Sequence, residues 1–574
     1  HAPGVHEEAL REQRRGACGA VAALRGLRRR REMVDDRATK DTAKKTGAPS
    51  GRKPGARRKK SGGRAARRAL REAGAEGMAV RPGMEGGKYK PLTDLQIQRI
   101  HDTALKVLEE IGIGDPIPEI LEAALPKGCT LEANGRLCFP RALVEDMIDI
   151  SAKKYVAYAP NPEYDLEISG TRVHTATSGE AVNILEYATQ KYRPTKLVDL
   201  YDAARLADQL EHIHSFGQPF IAAEYSREIR IHDINIAYAE LAGTQKPFSL
   251  GIAEVEHIDP IISLFDTYLG QDGAFLKRPF CIFGGCPIVS PLRFGKDNAE
   301  VLVKVAQLGL VGDVAIAAQA GATAPAALAG ALVQTFAATL ACLVVMNLIR
   351  PGSAMNFGIW PFISDLRTGA FSGGSGEEAL VIAAAAQLAS HYGLTTSVPA
   401  GMTDSKTMDA QAGYEKAITT TAAVLAGGNM VSTYPGIVGS LLGQSFEGMV
   451  IDNDMMGNVL RLLRGVEVTD ETLSYDVIKE AVFGAGHFLN HEQTLRIMQT
   501  EYLYPAVGDR RTASEWQESG QETIYDLAHE KVKELLSTYY PEYIAPAIDA
   551  RIRERFPIKL APEEMRLGNG RWES

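Results

Sequence analysis

The stretch GATAPAALAGALVQTFAATLACLVVMNLI, residues 321–349, decides how this chain is read. No Asp, Glu, Lys or Arg lies between Asp313 and Arg350. About 20 apolar residues suffice to cross a bilayer. The run therefore fits either a membrane span or a helix buried in a globular fold, and its surroundings favour the second. It follows a strand-like VAIAAQ, passes through the loop AGATAP, and only then turns helical. Pro325 falls in the first helical turn, where a missing N–H is harmless. Gln334, Thr335, Thr339 and Asn347 interrupt the apolar surface, and no basic cluster flanks it. The expectation is a core or subunit-interface helix in a cytoplasmic protein without a membrane segment.

Working outward, the same strand-then-helix unit recurs. Strand candidates are HIHSFGQ near 212, KPFSLGI near 246, PFCIFGG near 279, DVAIAAQ near 313, SAMNFGI near 353, TTSVPAG near 395 and NMVSTYPG near 429. The spacing suits a βα unit rather than a hairpin. The strands are apolar on both faces, as parallel strands covered by helices must be. An eighth strand comes from 173–187. Eight such units predict an α/β chain built as a (β/α)8 TIM barrel. Ahead of it, TDLQIQRIHDTALKVLEEIG, with Thr93 as N-cap, and RALVEDMIDISAKK read as helices. Residues 155–194 read as strands and hairpins. The expected organisation is an extension over 1–85, a helical and β cap over 86–194, the barrel over 195–465 and C-terminal helices over 466–574.

Charge is unevenly spread. Residues 1–72 hold 22 Lys+Arg against 8 Asp+Glu, a net of +14, while the whole 574-residue chain carries −8. The segment lacks apolar periodicity, which predicts disorder. No aromatic residue precedes Tyr89, so the stacking half of a nucleic-acid surface is missing. There is no apolar h-region for a secretion signal. Folded patterning starts near Met78, and an upstream extension is expected before it. Six cysteines form no CxxC pair or tight Cys/His cluster, which signals neither a zinc site nor a disulfide scaffold.

In a barrel, chemistry sits after the strands. The residues so placed are Gln218, Glu224, Tyr225, Phe283, Gln319, Phe357, Trp360, Thr403, Asp404, Lys406 and Tyr434. Aromatic side chains with nearby carboxylates suit a poorly hydrated cation such as a quaternary ammonium. Asp409 and Glu415 could do acid/base work or cap helices. His487 and His491 stand at i, i+4 spacing without a third ligand, so no metal site is expected. No Ser–His–Asp set or phosphate loop is visible.

GATAPAALAGALVQ, DLRTGAFSGGSGEEAL, GMTDSKTMDAQAGYEK and HEQTLRIMQTEYLYP with DRRTASEWQESG resemble the trimethylamine methyltransferase family, from about Leu92 to about Phe556. The resemblance implies a TIM barrel that moves a methyl group from an amine to the Co(I) of a corrinoid held by a partner protein, with no cofactor bound in this chain. The founding trimethylamine enzymes carry pyrrolysine, whereas this chain holds only standard residues. It therefore resembles the non-pyrrolysine branch, whose members demethylate quaternary amines such as glycine betaine. From rim position, Trp360, Phe357, Phe283, Tyr225 and Tyr434 are cage candidates. Lys406, Gln319 or Thr403 would meet a substrate carboxylate, and Glu224 or Asp404 would serve as the catalytic or complementing acids. A homo-oligomer is expected. The rivals are a tertiary-amine methyltransferase, a lyase using Lys406 as a Schiff base, a betaine binder without methyl transfer, and a nucleic-acid tail.

Overall fold

The strand-then-helix rhythm is realised eight times. The computed structural model describes residues 78–573, and the basic segment 1–77 with its expected disorder lies outside them. Among the described residues the repeating strands are β1 Arg172–Ala176, β2 Phe216–Gly217, β3 Phe248–Gly251, β4 Cys281–Gly285, β5 Gly312–Ala320, β6 Met355–Ser364, β7 Thr396–Pro399 and β8 Met430–Ser432. The helices that follow them are α1 Leu197–Gln209, α2 Ile229–Gly243, α3 Ile258–Leu269, α4 Lys296–Leu308, α5 Leu328–Ile349, α6 Gly376–His391, α7 Ala410–Ala426 and α8 Phe446–Arg464. Strand order is β1-β8-β7-β6-β5-β4-β3-β2, and these pairs are all parallel.

The sheet curls but does not close as the expected barrel. Its end strands β1 and β2 meet at an isolated bridge, Ala176 to Ser215, and not along a ladder. The cause is local: β2 is two residues long and supports no continuous pairing. Two short antiparallel strands extend the sheet, Met84–Glu85 beside β1 and Phe371–Ser372 beside β6. The first falls inside the stretch 1–85 set aside as extension, so folded structure begins earlier than residue 86. The expected cap boundary at 195 likewise falls after β1.

Register fixes which side chains face inward. In parallel pairing, matched residues point to the same side. Asp313 pairs with Asn356, Ala315 with Gly358 and Ala317 with Trp360. Gly358 pairs with Ser397, Pro399 with Ser432, and Ser432 with Ala176. The alternate set, including Phe283 and Phe357, packs on the helices, so the first set lines the concave face. The base of the concave face is stoppered by the hairpin Lys154–Ala157 and Leu166–Ser169. Its Tyr155 and Ile168 pack with Ala176 and Met430.

Helix α5 settles the opening question. It begins at Leu328, so Pro325 belongs to the loop before it rather than to its first turn. It is long and apolar enough to span a bilayer, yet 72% of its most apolar window is buried within the fold. Its polar residues are satisfied there. Thr335 and Thr339 donate to carbonyls one turn back, at 2.8 and 2.9 Å. Asn347 donates to Ser151 Oγ at 2.8 Å. Phe336 stacks on Tyr392 and meets Phe357 edge-on.

The flanking elements are as patterned. Thr93 and Gln96 form a capping box on the helix Asp94–Lys106. Near the C-terminus, Ile524–Thr538 packs on α8 and α1. It is tied down by Arg205, which is fully buried and donates to the carbonyls of Leu536 and Tyr539.

Because Phe336 has no exposed surface, Phe336→Ala should cost about 3–5 kcal/mol. A urea titration followed by circular dichroism should show the midpoint falling accordingly; an unchanged midpoint would deny α5 its place in the core.

Candidate functional site

The concave face is lined mainly by small residues: Gly217, Ser249, Gly251, Gly284, Ala315, Ala317, Gly358, Ser397 and Ser432. Several of these positions remain open to water, among them Ser249, Gly251, Ala315 and Ala317. Small side chains there leave room inside the curl. Close approach demands glycine at all four of these glycine positions. A Cβ on Gly284 would lie 2.1 Å from the carbonyl oxygen of Asp313, and one on Gly251 would lie 2.4 Å from Glu180 Oε1.

Three groups crown this space. Trp360 on β6 is half-buried and donates from Nε1 to Ser397 Oγ at 3.3 Å. Tyr434, just after β8, meets Trp360 edge-to-face with ring centroids 6.2 Å apart. Glu180, in the loop after β1, reaches over Gly251 beside Gln218. Glu180 and Tyr434 both hold left-handed backbone, φ 55° and 43°, which non-glycine residues adopt at a cost. Below them Asp313 accepts from Asn356 Nδ2 at 2.7 Å.

The electrostatics follow from enclosure. Burial pushes the Glu180 carboxyl above the usual range; nearby His232 opposes this and Asp233 adds to it. Burial likewise raises Asp313, against the hydrogen bond from Asn356. The Cys286 thiol is pushed up to about 11 by burial, with Glu180 and Asp313 contributing. Glu180 and Cys286 are nonetheless exposed at the mouth, with protein crowded closely enough around them to raise both groups.

The Tyr434 backbone is held by a buried ion pair. Lys416 Nζ on α7 lies 3.0 Å from Asp452 Oδ2 on α8, with both side chains almost fully buried. Lys416 also donates to the carbonyls of Gly401 at 2.6 Å and Tyr434 at 3.0 Å. Asp452 accepts from the amide of Gly436 at 2.7 Å. One pair thus ties together the loops after β7 and β8.

A protein-family model described as trimethylamine methyltransferase (MTTB) matches residues 60–559. The chain belongs to the trimethylamine methyltransferase family. The glycine betaine methyltransferase of Desulfitobacterium hafniense (strain Y51) is 31% identical over 467 residues, covering 81% of this chain and 96% of that protein. Trimethylamine methyltransferase MttB of Methanosarcina thermophila is 29% identical, covering 79% and 94%. Among solved structures, the monomethylamine methyltransferase MtmB of Methanosarcina barkeri covers 82% of this chain and 92% of that chain, with 12% identity and a TM-score of 0.44.

Within this family member, several residues expected at the site are elsewhere. Phe283 packs outward on Phe265 and Phe275, and Phe357 on Phe336, so neither ring belongs to a cage on the concave face. Glu224 accepts from the amide of Leu197 at 2.8 Å and caps α1. Tyr225 sits half-buried in a 3-10 turn, its phenol raised by burial and then by Glu224 and Glu564. Asp404 accepts from Ser372 Oγ, Gly373 N and Ser440 Oγ at 2.6–2.9 Å, which makes it a clamp between rim loops. Thr403 donates to Glu415 at 2.6 Å. Lys406 is exposed and donates to the Asp404 carbonyl. Gln319 stands at the outer end of β5 on the concave side. Asp409 caps α7, and His491 caps the helix Glu492–Ile497. Among the described residues no group of three His, Cys, Asp or Glu is arranged to hold a metal.

Trp360 and Tyr434 are the aromatic candidates brought together. Glu180 and Asp313 escaped the sequence reading: the first lies in a loop, and the second opens a strand. Phasing the β5 alternation against Trp360 would have placed Asp313 inward.

Lys416→Met should destabilise the fold by about 3–5 kcal/mol, because it leaves Asp452 buried and unpaired. Lys416→Met combined with Asp452→Leu should recover much of that loss. Thermal melts of the single and double variants test the pairing.

Proposed function

We propose that this chain transfers a methyl group from a quaternary amine to the Co(I) of a corrinoid carried by a partner protein. The observation that supports it is the Trp360–Tyr434 pair on the concave side, with Trp360 half-buried, Tyr434 fully buried and the exposed Glu180 within electrostatic reach of Tyr434. Aromatic faces and a carboxylate suit an ammonium ion, and the cation–π attraction strengthens where water is excluded. Family membership and the named relatives supply the reaction class.

In this reading the curled sheet acts as the (β/α)8 barrel of a methyltransferase. A quaternary nitrogen carries a full positive charge. The amine is displaced in line from the methyl carbon: the acceptor's electron pair would form the new bond to carbon as the C–N bond breaks, and the C–N pair leaves with a neutral tertiary amine. The protein's work is then orientation, exclusion of water and exposure of one methyl at the mouth. Trp360 and Tyr434 fix the ammonium group. Lys416 and Asp452 hold Tyr434 in its strained conformation. No acid or base need act on the substrate, which agrees with Asp404 and Glu224 being spent on loop and helix contacts. The lyase reading loses its support because Lys406 is exposed rather than desolvated.

The test is a cobalamin methylation assay. Cobalamin reduced to Co(I) is mixed with the protein and a panel of methylamines and quaternary amines, and methyl-Co(III) is followed by visible absorbance, with a candidate corrinoid protein added in a second series. Methylation by a quaternary amine is the expected result. Methylation by tertiary amines alone would favour the trimethylamine-type reading instead. Trp360→Ala and Tyr434→Ala should each weaken amine binding roughly tenfold or more, read by calorimetry; unchanged affinity in both would remove them from the cage.

A further inference from the structure

Among the described residues, the concave face offers acceptors and carboxylates but no uncommitted Lys or Arg. Asp313 projects into it from β5, and Glu180 overhangs it from the mouth. Asn356, 5% exposed, gives its amide nitrogen to Asp313, and its Oδ1 is buried without a hydrogen-bond partner. This unmet acceptor lies beside the Asp313 carboxylate near the base of the concave face, next to Tyr155 of the stopper, and favours positive character in whatever occupies the space above it.

Among the described residues, strand positions with concave register hold no Lys, and their one Arg is Arg172 at the base. That guanidinium is committed to Glu85 and Glu167 outside the stopper. Lys416 is committed to Asp452, and Lys406 points to solvent at the rim. His232, the imidazole within electrostatic reach of Glu180, is compensated by Asp233, which also accepts from His257 at 2.8 Å. Serine hydroxyls and the Gln319 amide supply neutral donors, and these do not balance a carboxylate placed beside Asp313.

We propose that the site recognises a quaternary ammonium ion that bears no carboxylate, with Trp360 and Tyr434 around its methyl groups and the Glu180 and Asp313 carboxylates as its counter-charge. The assignment rests on the amine-methyltransferase reading and narrows it. A zwitterionic betaine presents its own anion within a few bonds of the nitrogen. In this cavity that anion meets like charge and an unmatched acceptor, an arrangement that selects against it. A cation such as choline or tetramethylammonium brings a positive charge and no anion to a face that carries two carboxylates, and the attraction is not offset by repulsion.

Calorimetric titration of the full chain with tetramethylammonium, choline and glycine betaine decides it. The two cations should bind at least tenfold more tightly than glycine betaine. Glu180→Gln and Asp313→Asn should each weaken the cations about tenfold and narrow the gap to the betaine; the comparison within the wild-type protein stands even if a variant fails to fold. Cation affinity should rise with pH, because both carboxyls are raised and only their ionised forms attract the ligand. The groups facing Glu180 are His232, Asp233, Cys286 and Tyr434, and those facing Asp313 are Asn356, Tyr155, Cys281 and Cys286. Glycine betaine binding as tightly as the cations, or no binding of either cation, would overturn the assignment. Tight cation binding with no methylation of cobalamin by any amine would overturn the transferase reading and leave the binding assignment standing.

Discussion

Registered parallel pairing is the constraint on which the rest depends. Once Gly251 pairs with Gly284, and Gly284 with Asp313, every residue along those strands is committed to the helices or to the concave face. A slip of one residue would exchange the two faces along a whole strand. The consequence is a division of labour. Large apolar side chains such as Phe283 and Phe357 anchor α3 and α5, and small ones empty the interior. Room for a ligand comes from what the inward positions lack.

The same constraint explains what could be read from the chain. Strands covered on both faces are apolar throughout, so their existence and spacing were legible while their phase was not. Phe283, Phe357 and Trp360 look alike as aromatics on strands, but only Trp360 has the inward phase. Pairing partners several dozen residues away set that phase. The opening stretch 321–349 was read correctly as a buried helix because it stands between two strands, although its start was placed too early. Closure of the barrel was over-read: the HIHSFGQ stretch supplies only Phe216–Gly217 as strand, with His212 and His214 buried before it. Burial holds the His212 imidazole near 4, well below its ordinary range, and lowers His214 further.

Rim loops gave the weakest signal for a different reason. Asp404 and Asp409 follow β7 and Glu415 stands inside α7, yet each accepts from backbone amides or hydroxyls of the rim loop or of the first helical turn. Short polar side chains close to loop amides are drawn into such bonds. Glu180 shows the opposite. Its left-handed backbone and its reach over Gly251 arise from how the loop after β1 crosses β3, which no local pattern in SGEAVNIL announces.

Burial of charge alone does not mark a site, and this molecule contains the comparison. The Lys416–Asp452 pair is buried and mutually compensated, with two carbonyls filling the remaining donors of Lys416 and the Gly436 amide adding to Asp452. Glu240 on α2 is buried with neither carboxylate oxygen hydrogen-bonded, and burial raises its carboxyl far above the usual range. Held neutral among the helices, it needs no ligand. Glu180 and Asp313 differ from both. They are raised by burial, they lack a committed cation, and they face space that water reaches and that Trp360 and Tyr434 border. Enclosure raises both carboxyls and a bound cation would lower them again, so the ligand itself completes the electrostatics of the fold.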